Sequence, residues 1–180
     1  MFIQPIETPR LILRRFATED WTAVFTYTAD PTVMHYIPEG PMTQTQAQTW
    51  VNNNSGESAQ AFPIILQQNG QIIGHIIFHA WFSHRTYEIG WVLHQAYQGQ
   101  GYATEAAKAV LDYAFTGLQA HRVIATCQPE NTASYRVMEK IGMRREGYFQ
   151  KCIYRGENIW WDEYFYAILE NEWFNRLSLK

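Results

Sequence analysis

The residues best placed to do chemistry are Gln98-Gly99-Gln100-Gly101-Tyr102-Ala103-Thr104, where two glycines and a small residue stand before a segment of helical periodicity. Ala103, Ala107, Val110, Leu111, Ala114 and Phe115 fall on one helical stripe. A helix therefore begins near Tyr102 or Ala103, and its free N–H groups point back at the loop. Such an end attracts anions. Glycine lets the backbone approach a pyrophosphate with no Cβ in the way, and the helix dipole favours negative charge there. Upstream, Thr86 to Leu93 alternates as a strand, with Tyr87, Ile89, Trp91 and Leu93 on one side, so the unit is strand, loop, helix. A dinucleotide fold would show Gly-x-Gly-x-x-Gly, and an NTPase would close the loop with Gly-Lys-Ser/Thr. Neither pattern is present here.

Other reactive side chains give weaker signals. The chain has six histidines, but His75 and His79 sit on or beside a strand with no carboxylate or cysteine at ligand spacing, so no metal site is expected. Cys127 ends an apolar strand and reads as a small buried hydrophobe rather than a nucleophile. With only Cys127 and Cys152, and no basic and apolar leader in Met1-Phe2-Ile3-Gln4-Pro5, a reducing cytoplasmic setting is expected. A net charge of −3 and the lack of a Lys/Arg block argue against a nucleic-acid partner. No apolar run approaches a membrane span.

The elements that must position the loop follow from pattern. The 180 residues, 47% of them hydrophobic, suit a single domain over 1–180. Arg10 to Arg15 alternates as an opening strand, and Thr18-Glu19-Asp20 offers N-cap chemistry to a helix bearing Trp21, Val24, Phe25 and Tyr27. Thr43 to Val51 predicts a second helix. Phe62–Leu66 and Ile72–Phe78 flank Asn69-Gly70 as a hairpin. After the loop and its helix come a strand over Arg122–Thr126 and a helix over Asn131–Ile141 stopped by Gly142. Tyr148–Tyr154 and Trp161–Leu169 form a closing antiparallel pair around Arg155-Gly156-Glu157-Asn158. Strands with helices between them predict a mixed α/β (α+β) layer structure.

Gln98-x-x-Gly101-x-Ala103 after a strand resembles the acetyl-CoA pyrophosphate motif of the GNAT acyltransferase superfamily. Three further segments extend the resemblance along the chain, closest to the ribosomal-protein N-acetyltransferase branch. They are Thr8-Pro9-Arg10-Leu11-Ile12-Leu13-Arg14, Glu88-Ile89-Gly90-Trp91-Val92-Leu93, and the Asn131-Thr132-Ala133-Ser134 to Glu139-Lys140-Ile141-Gly142-Met143 helix. The resemblance implies a central, mostly antiparallel twisted sheet flanked by helices. It implies a central strand that bends away from its neighbour beyond Trp91, where Trp91, Val92 and Leu93 pair with pantetheine amides like an added strand. The pyrophosphate would lie on the N–H groups of Gln98, Gly99, Gln100, Gly101, Tyr102, Ala103 and Thr104. Asn131 would bind the pantetheine arm, and Ser134 would lie near the acetyl sulfur. Many members carry a tyrosine four residues after the Ser134 position to protonate the leaving thiolate; here stands Met138, which has no proton to give. Ser134 is the replacement candidate, and Tyr135, turned about 100° away on a helix, is a second.

Acetyl transfer to an amine needs a free lone pair, support for the oxyanion and a proton for the thiolate. Glu88 is the candidate base, acting through water, with the N–H near Val92 at the oxyanion; the alternative is that Glu88 is only a polar residue on the second face of a half-buried strand. For Ser134 the alternative is positioning or helix solvation. His35 with Tyr36, and some of Trp160, Trp161, Tyr164, Phe165 and Tyr166, are candidates to line the acceptor cleft. The expected function is N-acetyl transfer from acetyl-CoA to a primary amine, with a protein or peptide N-terminus ahead of a polyamine or aminoglycoside, by a monomer or homodimer. An α-amine needs less deprotonation than a lysine-like amine. A polycation would want an acidic cleft, and Asp30, Glu39, Glu57, Asp162 and Glu163 are scattered in sequence. A non-catalytic acyl-CoA sensor is the rival that Met138 favours.

Overall fold

Helices cover both faces of one sheet in the computed structural model, which describes residues 4–177. The chain opens with two short strands, β1 (Ile6–Glu7) and β2 (Leu11–Leu13). A single 3-10 turn over Thr18–Asp20 leads into helix α1 (Trp21–Thr28). Helix α2 (Gln44–Asn53) starts at Thr43, whose hydroxyl accepts from the Gln46 N–H while the Gln46 side chain accepts from the Thr43 N–H, a reciprocal cap. Strands β3 (Ala61–Leu66) and β4 (Ile72–Ala80) form the expected hairpin, with Gly70 at φ +71°. Then come β5 (Thr86–Leu93), helix α3 (Tyr102–Asp112) with a π turn at its end, β6 (Arg122–Cys127) and helix α4 (Thr132–Ile141), which Gly142 stops at φ +90°. The chain closes with β7 (Arg144–Tyr154), β8 (Trp160–Leu169) and helix α5 (Glu170–Leu177).

The strand order is β1-β2-β3-β4-β5-β6-β8-β7, with the β5–β6 pair parallel and the other pairs antiparallel. The crossover through α3 is what makes β5 and β6 parallel. β3 is buried along its whole length, as a strand covered on both faces must be. One apolar cluster joins α3, α4 and Trp173 of α5 to one face. The other holds Val24, Tyr27 and Val51 of α1 and α2 against Ala61 and Val92.

Besides β1, which was not foreseen, two elements differ from expectation. β7 begins at Arg144 rather than Tyr148, because its first residues are charged: Arg144 and Glu146 pair with each other, Glu146 also with Arg122, and Arg144 with Glu172. Ion pairing replaces the apolar alternation that would have marked the strand. Helix α5 was not foreseen, since it follows β8 with no intervening loop; it is anchored by Trp173 stacking on Phe115, ring centroids 5.9 Å apart.

Candidate active site

β5 and β6 pair at three positions, Thr86–Arg122, Tyr87–Val123 and Glu88–Ile124. Past Glu88, β5 stays paired with β4 as far as Leu93 opposite Gly74, and β6 stays paired with β8 as far as Cys127 opposite Tyr164. The two strands therefore part beyond Glu88, three residues before the Trp91 that the family resemblance implied. Gly74 lets β4 hold the diverging strand closely. A Cβ there would stand 2.3 Å from the Val92 carbonyl.

A cavity of about 420 Å³ opens along the gap. Trp91, Val92 and Leu93 of β5, Gln98, Gly99, Gly101, Tyr102, Ala103 and Thr104 of the loop and α3, and Asn131 and Ser134 of α4 all line it. Gln100 and Glu88 do not. The Gln100 side chain turns back to the Ala96 carbonyl, and its own carbonyl accepts from Arg10. Sequence reasoning missed Ala133, Arg136, Val137 and Lys140, a second helical face of α4 that brings two cations to the wall. Their spacing of i, i+3, i+4, i+7 was the available signal. It also missed Thr32, Val33 and Ile37, which with Tyr36 reach the cavity from the segment between α1 and α2.

The loop is held from behind. Gly99 and Gly101 lie at φ +73° and +84°, a left-handed backbone that L side chains adopt only with strain. Gly101 is the N-cap of α3, so the N–H groups of its first turn lack intrahelical acceptors. Glu105 accepts from the Thr8 hydroxyl at 2.7 Å, the Arg10 N–H at 2.9 Å and the Arg10 guanidinium at 2.6 Å. Partial burial pushes the Glu105 carboxyl up, but these bonds outweigh it and hold it below the ordinary range. Arg10 also lies over the Tyr102 ring, 4.3 Å from its centroid. The Thr8 to Leu13 segment thus braces the loop and is more than an opening strand.

At the other wall, Asn131 is the N-cap of α4, its Oδ1 accepting from the Ser134 N–H at 3.2 Å. Burial pushes the Cys127 thiol up to about 11, against the opposing effect of the Ser134 side chain. Cys127 stays a thiol at neutral pH. Met138 is buried in the core, and Tyr135 packs on Tyr164 at 6.1 Å, so neither reaches the cavity wall.

Glu88 faces away from α3, toward the side of the sheet covered by α1 and α2. His79 stands opposite it on β4, Nε2 3.8 Å from its carboxylate. Burial raises the Glu88 pKa most, His79 opposes this, and the charge of Glu163 adds to it. Trp161, Glu163 and Phe165 alternate onto one face of β8. Phe165 meets Trp81 at 5.5 Å, and Trp161 meets His35 at 5.8 Å and Tyr36 at 6.1 Å. Trp161 is further capped by the Arg155 guanidinium, 4.0 Å from its centroid. Tyr164 and Tyr166 take the opposite face, toward α4, and Trp160 is exposed. Asp162 also turns away, bonded to Tyr148 and to the Lys151 N–H. His75 is buried against Tyr27, its Nδ1 2.9 Å from the phenol oxygen, and its pKa falls to about 3 through burial. Among the described residues, no group of three or more His, Cys, Asp and Glu side chains is arranged to hold a metal ion.

The model of the acetyltransferase (GNAT) domain matches residues 10–144. The chain is 58% identical to an uncharacterized N-acetyltransferase, YnaD, of Bacillus subtilis, over 93% of this chain and 98% of that one. A solved acetyltransferase (GNAT family) from Bacillus anthracis, 56% identical, superposes with a TM-score of 0.90 over 93% of this chain and 99% of its own. Relatives with a named acceptor are more distant. The putative ribosomal N-acetyltransferase YdaF of Bacillus subtilis is 30% identical over 60% of this chain and 59% of its own. Spermidine N(1)-acetyltransferase of Escherichia coli is 36% identical over 36% of this chain and 34% of its own. With three-quarters of its length matched by the domain model and nearly all of it by close relatives, this chain belongs to the GNAT family of N-acetyltransferases.

Proposed function

We propose that the chain moves an acetyl group from acetyl-CoA to a primary amine in one direct step, with a peptide or protein N-terminus as the favoured acceptor. The observation that carries this reading is the parting of β5 and β6 beyond Glu88, with a cavity lined by residues 91–93, the glycine loop and Ser134. Acetyl-CoA would lay its pyrophosphate on the first turn of α3, where backbone N–H groups and the helix dipole favour anions. Arg136 and Lys140 add positive charge to that wall. The pantetheine arm would run along Trp91, Val92 and Leu93, with Asn131 Nδ2 as a donor from α4.

The amine enters as an ammonium and gives its proton to Glu88 through water. Its lone pair then attacks the thioester carbon, the oxyanion is met by the N–H near Val92, and the C–S bond breaks as the nitrogen gives up its second proton. Ser134, on the cavity wall, would relay that proton to the departing thiolate, receiving one as it gives one. Cys127 does not form an acyl-enzyme, because its thiol is held protonated. A polyamine acceptor is the second reading, supported by the charge of Glu163 beside Glu88 and by the spermidine-acetylating relative. The ribosomal-type relative supports the N-terminus.

The test is CoA thiol release over a panel of short peptides with free N-termini, polyamines and aminoglycosides, with acetylated products read by mass spectrometry. Transfer to peptide N-termini is the expected result. Acetylation of a small amine alone would move the acceptor assignment, and acetyl-CoA binding with no turnover on any amine would make the protein a sensor.

A further inference from the structure

Arg155 joins two walls that the chain otherwise keeps apart. It lies between β7 and β8, and its Nη1 donates to the Ile37 carbonyl at 2.9 Å, across 118 residues of sequence. The same guanidinium lies over Trp161 of β8. Ile37 and its neighbour Tyr36 line the acetyl-CoA cavity, and Tyr36 and His35 both touch Trp161. Trp161 in turn shares its face of β8 with Glu163, whose charge is felt at Glu88. The result is a strap of side chains running from the cavity wall to the side of the sheet that holds the two carboxylates.

The strap has a definite chemistry. Glu88 and Glu163 attract an ammonium inward, while Arg155 stands farther out as a fixed cation on the same wall. Arg155 also covers one face of Trp161, the surface on which a second ammonium would otherwise find a cation–π partner. A guanidinium carries five N–H donors, and the Ile37 carbonyl takes one of them. The remaining donors suit a carbonyl oxygen such as that of a first peptide bond, whereas they repel the second charge of a polyamine.

We infer that Arg155 is a specificity-determining residue of the acceptor site, selecting an amine that carries one positive charge and a nearby carbonyl, as at a peptide N-terminus, over a polyamine. This rests on the transfer reading above. The test measures kcat/KM for a short peptide whose single cation is its α-amine and for spermidine, in the wild type, in Arg155→Ala and in Arg155→Lys. In Arg155→Ala the peptide-to-spermidine ratio is expected to fall at least tenfold, mainly through KM for the peptide. Arg155→Lys, which keeps the charge without the planar fork, should fall between the two. Should the alanine variant not fold, as judged by its melting transition, Arg155→Gln takes its place. A fall of threefold or more supports the inference; a smaller change, or a rise, overturns it. If the wild type transfers to neither amine, both this inference and the transfer reading fail, whereas transfer with an unmoved ratio sinks Arg155 alone.

Discussion

Glu88 works between a neighbour that eases its ionisation and one that resists it. The His79 imidazole, when protonated, favours the carboxylate, while burial and the Glu163 charge disfavour it, and the net effect is a raised pKa. A base must be deprotonated to act, so kcat/KM should rise with pH through this raised value, with its acid limb above the ordinary carboxylate range. Removing the like charge in Glu163→Gln should shift that limb toward lower pH, which a pH–rate profile reads directly. Glu88→Gln should lower kcat about 100-fold, the low end for loss of a general base, with acetyl-CoA affinity kept within about threefold by calorimetry. Retention of the full rate at every pH would leave Glu88 a structural residue. Glu88 was visible in the sequence as a lone acid in an apolar strand, but Glu163 was not visible as its neighbour. The two lie 75 positions apart and meet only because the sheet order sets β5, β6 and β8 side by side.

At the scale of elements, the phosphate loop is shaped by its two glycines and fixed by the Thr8–Arg10–Glu105 brace. Gly101→Val forces a β-branched residue to φ +84° and should weaken acetyl-CoA binding at least tenfold, about 1.4 kcal/mol, measured by titration calorimetry on the folded protein. Unchanged affinity would remove the loop from the cofactor site. This loop and its helix were legible from glycine spacing and one apolar stripe, because both signals are local. The parting of β5 and β6 was legible only through family resemblance, and its position was misread by three residues. Where a strand loses a partner depends on how far the partner runs, which the strand's own residues do not record. The Arg155 strap was invisible for the same reason: nothing near Arg155 in sequence points to Ile37.

At the scale of the molecule, the side of the sheet that α1 and α2 cover carries a buried group that responds to acid. His75 lies between Tyr27 and Trp50, its ring 4.7 Å from the Trp50 ring, and must stay neutral to remain buried. Its folded pKa of about 3 lies below the unfolded value of 6.5, so the unfolded chain takes up a proton that the folded chain refuses. Stability from this group is fully present above pH 6.5 and drains as pH falls toward about 3, by up to about 1.4 kcal/mol per pH unit. Urea unfolding at pH 7, 6, 5 and 4 should show that slope, and His75→Gln should flatten it; equal slopes would mean that other groups govern acid unfolding. No helix among the described residues is long and apolar enough to cross a membrane.

The sheet order has a consequence for the growing chain. β8 is the last strand to be made, yet it lies between β6 and β7, which are made before it. On the ribosome, the loop, α3 and α4 can therefore assemble while the edge of β6 waits open. Trp161, Glu163 and Phe165 arrive only after the glycine loop, α3 and Ser134, so the residues that would receive the amine are made after those that would hold the acetyl donor. A nascent chain stalled or clipped before residue 160 would leave both neighbours of β8 with bare edges, the form of this protein most prone to pair with a stranger.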